Sequence, residues 1–280
     1  MHVFTTVSEL QVHLKQARNQ GQQIGLVPTM GALHQGHLSL ISQALADNDL
    51  VVCSIFVNPT QFNNREDLAK YPRTEEQDLD LLRKAGCHIA FVPEVAEIYP
   101  VPSQLRLDFG PLETVMEGKS RPGHFNGVGI VVSKLFHITL PDRAYFGQKD
   151  LQQVAIIKQL VEDLSFPIDL VVVPTLREPT GLALSSRNQR LSTIERQRAP
   201  LVFEQLSLAR QHLEEGMPIA GVSEALVAYF ASTADFRLDY FEVVDPKTLQ
   251  PLERYNKSQE AALCIAIYLG SVRLIDNLLI

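Results

Sequence analysis

Apolar residues in the first two thirds of the chain fall into short continuous runs separated by stretches of helical periodicity. Ile24–Val27, Leu50–Val57, Ile89–Val92 and Ile168–Val173 read as strands, Leu50–Val57 as one buried on both faces of a sheet, and Ala144–Gly147 is a candidate for another short one. Between them, Leu38, Leu40, Ile41, Ala44 and Leu45 recur at helical spacing and predict a helix from about His37 to Asp47. Leu79, Leu82 and Ala85 do the same within Thr74–Ala85, with Gly86 as its stop. Val128–Phe136 is apolar enough for a helix or a strand, with helix preferred, and Leu151–Leu164 reads as a helix. Strand–helix alternation of this kind predicts an α/β fold, a parallel sheet covered by helices.

The pattern changes after Arg190. Ser192–Gly216 reads as one long amphipathic helix and Val222–Ala231 as a second. Two strand-like segments follow, Leu238–Val244 and Ala262–Leu269, with a polar turn region between them. This predicts a second, smaller α+β domain, with the boundary near Pro174–Pro179 and the division at 1–175 and 176–280. No internal repeat, low-complexity tract or charged block interrupts the chain.

Composition narrows the class. The 280 residues are 45% hydrophobic and 20% charged, as in an ordinary globular protein long enough for a sizeable core. A net charge of −7 weighs against a broad nucleic-acid interface, so an anionic substrate must be met by a few focused Lys, Arg and His residues. Cys53, Cys87 and Cys264 are scattered, with neither a disulfide framework nor zinc-ligand spacing, and read as buried fillers in a reducing compartment. The N-terminus lacks a basic stretch followed by an apolar one, and the apolar runs are too short to span a bilayer. The expectation is a cytoplasmic protein without membrane contact.

The segment Pro28-Thr29-Met30-Gly31-Ala32-Leu33-His34-Gln35-Gly36-His37 places two histidines where a strand hands over to a helix. Free N–H groups and the positive end of the helix dipole favour anions there, and Gly31 and Gly36 allow close backbone approach, an arrangement suited to nucleotide phosphates. The same His-x-x-His spacing also suits a metal pair or plain helix-start residues. Asn58-Pro59-Thr60-Gln61 follows the second strand, where uncharged amides suit a hydroxyl- and carboxylate-bearing substrate, or simply make an Asn-Pro turn. Gly147-Gln148-Lys149-Asp150, with Gln152 and Gln153 beyond it, opens another helix. A lysine there opposes the dipole, which points Lys149 at an anion. Leu184-Ser185-Ser186-Arg187-Asn188 offers hydroxyls and a guanidinium to phosphate oxygens, or is a polar linker. Arg121-Pro122-Gly123-His124-Phe125-Asn126-Gly127 reads as a loop and a mobile lid, with His124 as readily structural as functional.

Taken together and in this order, these segments resemble the pantothenate synthetases (pantoate–β-alanine ligases). The two-histidine turn alone is shared by class I aminoacyl-tRNA synthetases and other nucleotidyltransferases, whereas the combination is far more specific. The resemblance implies a Rossmann-like ATP- and pantoate-binding domain, a smaller C-terminal lid domain and a homodimer. The implied reaction uses ATP and Mg2+: the pantoate carboxylate attacks the α-phosphorus, and the β-alanine amine then attacks the pantoyl adenylate. By the same resemblance, Met30, Gly31, Ala32, Leu33, His34, Gln35, Gly36 and His37 line the ATP site, His34 and His37 contact phosphates, and His37 is the candidate proton donor. Gly147, Gln148, Lys149, Asp150 and Leu176 contact the nucleoside, Lys149 also reaching phosphates, and Leu184, Ser185, Ser186 and Arg187 hold the triphosphate. Gln61 and Gln153 hold pantoate with Asn58 nearby, and Gln61 also meets β-alanine. Gln148 and Thr180 stand where many relatives carry Glu and Asp, and neither bears chemistry in this reading. Metal ligands and the acceptor of the amine proton are left open.

Three rivals use the same turn. A nucleotidyltransferase with a phosphorylated substrate calls for more Lys or Arg in the Asn58–Gln61 loop. A tRNA synthetase fragment calls for a basic surface. A non-catalytic nucleotide binder has no need of His34, His37, Lys149 and Arg187 together.

Overall fold

The computed structural model describes all residues from Met1 to Ile280. Strands β1 (His2–Phe4), β2 (Ile24–Thr29), β3 (Leu50–Ile55), β4 (Ile89–Phe91), β5 (Arg143–Gly147) and β6 (Asp169–Val173) form one sheet in the order β1-β4-β3-β2-β5-β6. Every neighbouring pair in it is parallel. Side chains alternate between the two faces, as a period of two requires. Ile24, Leu26, Val52, Ile89, Phe91, Ala144 and Phe146 join one core, while Val27, Val51, Cys53, Ala90 and Tyr145 join another. Helices α1 (Val7–Asn19), α2 (Gln35–Asp47), α3 (Arg65–Lys70), α4 (Glu75–Lys84), α5 (Val95–Ile98), α6 (Met116–Ser120), α7 (His124–Thr139) and α8 (Leu151–Asp163) complete this part. The first core includes residues of α1, α7 and α8, and the second residues of α2 and α4.

The sheet order reverses at β2, which has β3 on one side and β5 on the other, the position where α/β sheets open a ligand crevice. Pro28 determines where the opening begins. The backbone of Ile24 faces the β5 side, where its carbonyl accepts from Asp142 N–H at 2.8 Å, so Leu26 and Pro28 face that side too. Pro28 has no N–H to donate. The β2–β5 pairing covers Gly25 and Leu26 and stops, while β2–β3 pairing continues to Thr29.

The C-terminal part carries α9 (Thr193–Arg198), α10 (Leu201–Glu214), α11 (Ile219–Ser232) and an antiparallel sheet of β7 (Phe236–Val244), β8 (Ala262–Leu269) and β9 (Val272–Leu279). It packs on the parallel-sheet part through a small apolar cluster in which Met116 and Ala155 meet Val244, Leu249, Ala262 and Cys264.

Several expectations change. The sequence pattern predicts one helix over Ser192–Gly216, but it is interrupted at Ala199–Pro200, because Pro200 has no N–H to continue the ladder. The pattern also does not show β1, α1 and β9. The segment Arg121–Gly127 is not a mobile loop: α7 begins at His124, and His124, Phe125 and Gly127 are buried. Its glycine serves close approach, since a Cβ on Gly127 would collide with the Thr60 carbonyl oxygen. In an unobstructed helix, Gly→Ala gains about 1 kcal/mol; here the clash outweighs it. Gly127→Ala is therefore expected to destabilise by about 2 kcal/mol net and lower the melting temperature by several degrees. Gly147→Ala, whose Cβ meets nothing within 4 Å, is expected to leave the melting temperature unchanged in the same thermal unfolding assay.

Candidate active site

β2 leaves the sheet at Thr29, whose hydroxyl donates to the Ser54 carbonyl at 2.6 Å and accepts from Gly31 N–H at 3.2 Å. The next turn is left-handed at Gly31 (φ 75°) and at Ala32 (φ 49°), the latter unfavourable for a residue with a Cβ. A buried carboxylate holds it there. Asp78 of α4 accepts from Ala32 N–H at 2.9 Å and Leu33 N–H at 2.7 Å, and the Thr74 hydroxyl also donates to it. Burial raises the Asp78 carboxyl above its ordinary range, against the pull of these donors.

The two histidines then cap α2. His34 Nδ1 accepts from Gly36 N–H at 3.1 Å, and His37 Nδ1 accepts from His34 N–H at 3.3 Å, a reciprocal box built from imidazoles. The rings lie 4.1 Å apart. Burial, then the Lys149 charge, lowers His34 to about 4, and burial, then His34, lowers His37 to about 3. Both rings are neutral near pH 7. With each Nδ1 accepting, each proton is assigned to Nε2, leaving two N–H donors beside the helix N-terminus.

In the second segment, Asn58 is fully committed within the protein. Its Nδ2 donates to Gln61 Oε1 and to the Gly127 carbonyl, both at 3.1 Å, and its Oδ1 accepts from Thr60 and from Tyr99 Oη at 2.9 Å. Asn58 thus spends its amide on holding Gln61, while it still borders the cavity at the β2–β5 opening. Behind Gln61 lies His124. Its Nδ1 bonds the Gln61 carbonyl at 2.8 Å and its Nε2 bonds an Arg121 N–H at 3.1 Å. A carbonyl only accepts and a guanidinium only donates, so His124 is neutral with its proton on Nδ1. Burial, then Arg121, lowers its pKa to about 4.

The third segment follows β5. Lys149 Nζ lies 3.4 Å from Asp150 Oδ1. Against the cost of burial, the Lys149 and Arg187 charges hold Asp150 below the usual carboxylate range. Gln152 and Gln153 diverge. Gln152 is buried and holds α6 through the Glu117 N–H and the Leu112 and Val115 carbonyls, whereas Gln153 lines the cavity. In the fourth segment, the Ser185 hydroxyl accepts from Arg187 N–H, and the Ser186 hydroxyl donates to the Ala32 carbonyl at 3.0 Å, tying this turn to the first. Asp67 pairs with both Arg187 (3.3 Å) and Arg190 (3.1 Å).

These segments meet in a cavity of about 190 Å³ at the β2–β5 opening, and it adjoins a wider cleft of about 650 Å³ that reaches the C-terminal sheet. Met30, His34, Gly36, His37, Asn58, Gln61, Gly147, Lys149, Asp150, Gln153, Leu176, Leu184, Ser185, Ser186 and Arg187 all line the smaller cavity. Five expected residues do not. Gly31, Ala32 and Leu33 are buried behind it, Gln35 is exposed, and Gln148 turns to Asn277. Thr180 lies in an exposed turn outside it. The sequence reading missed the apolar wall of Val128, Val131, Val132 and Leu135, although their helical spacing on α7 was visible. It also missed Tyr71 and Asp78, which no local motif marks. No group of three His, Cys, Asp or Glu residues is placed to hold a metal ion unaided, so the histidines are not a metal centre of the protein alone.

The chain matches the family model for pantoate–β-alanine ligase over residues 2–279. It is 49% identical over 283 residues to the pantothenate synthetase of Phocaeicola vulgatus, covering 99% of each chain. It is 47% identical over 277 residues to that of Cytophaga hutchinsonii, covering 99% of this chain and 98% of the relative. Its fold superposes on the pantothenate synthetase of Thermus thermophilus with TM-score 0.92 at 43% identity, covering 99% of both chains. A Francisella tularensis pantoate–β-alanine ligase, complexed with a β,γ-ATP compound and β-alanine, matches with TM-score 0.84 at 38% identity, covering 100% of this chain and 97% of the other. The chain belongs to the pantoate–β-alanine ligase family.

Proposed function

We infer that the chain joins pantoate to β-alanine in a reaction driven by ATP cleavage to AMP and pyrophosphate, and that it does so through a pantoyl adenylate formed in the smaller cavity. One observation carries this reading. The β2–β5 opening brings together two neutral imidazole donors, one lysine, the uncharged amides of Gln61 and Gln153, and an apolar wall. Pantoate has a carboxylate, two hydroxyls and a geminal dimethyl carbon. Gln61 and Gln153 match the polar groups, and Val128, Val131, Val132 and Leu135 match the methyls. A phosphorylated acceptor would call for cations where these amides stand.

The pantoate carboxylate is ionised at neutral pH, so the first step needs no general base. Its oxygen bonds to the α-phosphorus, and the bond to the bridging oxygen breaks, leaving pyrophosphate with the electron pair. Lys149 and the Nε2–H groups of His34 and His37 face the charge that grows on the phosphoryl and leaving oxygens. In this reading His37 acts as a hydrogen-bond donor rather than as an acid, because at about pKa 3 it carries no spare proton. Ser185, Ser186 and Arg187 hold the triphosphate, and Asp150 and Leu176 border the nucleoside. In the second step the β-alanine nitrogen bonds to the acyl carbon, AMP leaves with the acyl oxygen, and the amine loses a proton.

Magnesium fits as an ion carried by the nucleotide, since such sites need only one or two carboxylates beside phosphate and water. Asp150 is the carboxylate on the wall of the smaller cavity and would hold it. The ion would supply charge neutralisation to the leaving pyrophosphate. Residues 1–175 act as the ATP- and pantoate-binding domain and 176–280 as the lid that excludes water from the adenylate. A homodimer and a cytoplasmic location belong to the same reading and are supported by kinship alone; no helix is long and apolar enough to cross a membrane.

ATP–pyrophosphate exchange, with pantoate present and β-alanine absent, tests the first step. Exchange that depends on pantoate is expected; ATP binding without exchange refutes the reading. Lys149→Ala should slow exchange by about 10²–10³-fold without unfolding the protein. His37→Ala should slow it by about 10²-fold, and His37→Gln, which restores a neutral N–H donor, should recover part of the loss. Equal defects in the two variants would show that His37 is not a donor. Because the lowered histidines stay neutral, the exchange rate at saturating substrates should be flat between about pH 6 and pH 8. A histidine limb centred near pH 6.5 in that profile would overturn the neutral-donor assignment.

A further inference from the structure

Asn277 sits on β9 and is only 3% exposed. Its Nδ2 donates both hydrogens across the interface between the two parts of the molecule, to the Gln148 carbonyl at 3.0 Å and the Lys149 carbonyl at 2.8 Å. Its Oδ1 accepts from Gln148 Nε2 at 3.5 Å. We propose that Asn277 is the positioning residue for Lys149, so that the C-terminal sheet completes the catalytic loop. The inference rests on the reading of the smaller cavity as the adenylation site.

Peptide geometry carries it. The two carbonyls belong to the two peptide units that flank the Lys149 Cα. Each unit is planar and trans, so fixing a carbonyl also fixes the N–H on its opposite edge. With both planes pinned, the direction of the Lys149 Cα–Cβ bond is set. The lysine side chain needs this support, because its charge has one local partner, Asp150 at 3.4 Å. The Asn277 amide is consumed by backbone and by Gln148, so it positions the loop and does not touch substrate.

Asn277 is itself held firmly. Its N–H donates to Asp276 Oδ1 at 2.8 Å, and its carbonyl accepts from Arg177 at 3.1 Å. Arg177 pairs with both Asp276 oxygens, at 2.5 and 2.8 Å, and lies over the Phe203 ring at 3.9 Å. A side chain supported in this way can hold a loop to the tolerance that phosphoryl transfer needs.

The test is ATP–pyrophosphate exchange with pantoate, using Asn277→Ala, Asn277→Asp and Asn277→Ser in the full chain. Alanine removes both donors, aspartate faces two carbonyls with an acceptor, and serine keeps one donor. The alanine and aspartate variants should lower the exchange kcat by about 10–100-fold and raise the ATP KM, with the pantoate KM within about twofold of the native value. Serine should fall between alanine and native. A purely structural role would lower the active fraction and leave both KM values in place. Native kcat and ATP KM in the alanine variant overturn the proposal, as do parallel shifts in both KM values. Should the alanine variant fail to fold, the serine variant decides: a raised ATP KM with reduced kcat supports the proposal, and native values overturn it. Absence of pantoate-dependent exchange in the unsubstituted protein refutes the adenylation reading together with this inference. Native exchange in both proteins refutes the inference alone.

Discussion

Both imidazoles of the strand-to-helix turn commit Nδ1 to the backbone, and the site is arranged around what that leaves. A helix N-terminus has orphan N–H groups that need acceptors, and a capping side chain contributes about 1 kcal/mol by supplying one. Serine or aspartate would serve α2 as well for stability. Histidine adds a second polar atom on the far side of the ring, and capping fixes that atom as a donor. Protonation would turn Nδ1 into a donor facing a donor, so the cap and the neutral state enforce each other. The lowered pKa values of His34 and His37 are the electrostatic side of the same constraint. The turn before the cap must also be exact in direction, which explains the investment in Asp78. A buried carboxylate is costly unless its lone pairs are satisfied, and here two backbone N–H groups and a hydroxyl satisfy them.

The motifs that were legible in the sequence are those whose chemistry lies within one turn of chain. Pro28–His37, Asn58–Gln61, Gly147–Asp150 and Leu184–Arg187 each join an element end to polar residues, and the parallel sheet gathers those ends at one edge. Strand alternation and helical periodicity carried the α/β architecture for the same local reason. What stayed hidden acts over distance. Asp78 reaches the first turn from α4, and Asn277 reaches Gln148 and Lys149 from the last strand. β9 itself was missed because Arg273, Asp276 and Asn277 interrupt its apolar pattern; Arg273 and Asn277 work at the interface, and Asp276 braces Asn277. Gly127 was a true signal read in the wrong direction, unlike Gly123, whose φ of 79° makes the turn before α7. Gly127 marks close packing of α7 on the Gln61 turn.

The interface between the two parts divides its labour between apolar and ionic contacts. The cluster around Met116, Ala155, Val244 and Cys264 removes apolar area from water and is tolerant of small sliding motions. The charged contacts are not tolerant. Across the interface Arg273 binds both Glu117 oxygens at 2.8 Å; within the C-terminal part it also meets Asp239, and Arg177 binds Asp276 in the same two-pronged way, which braces Asn277. Buried pairs of this kind add little net stability but are costly to break, so they select one docked arrangement over near neighbours. Burial opposes ionisation of Glu117, and Arg273 and Arg121 nevertheless hold its carboxyl below the ordinary range.

Each pair leads to a different segment of the cavity wall. Arg273 meets Glu117, which neighbours Arg121 at 3.7 Å, and Arg121 bonds His124, whose other nitrogen bonds the Gln61 carbonyl. Arg177 meets Asp276, beside Asn277 and hence Lys149. The first chain of contacts ends on the backbone carbonyl of Gln61, the second on the two backbone carbonyls that flank the Lys149 Cα. A C-terminal part that merely covered the cavity would have no reason to touch both. Contacts that end on the backbone of Gln61 and Lys149 tie the docking of the C-terminal part to the direction in which those two side chains enter the cavity.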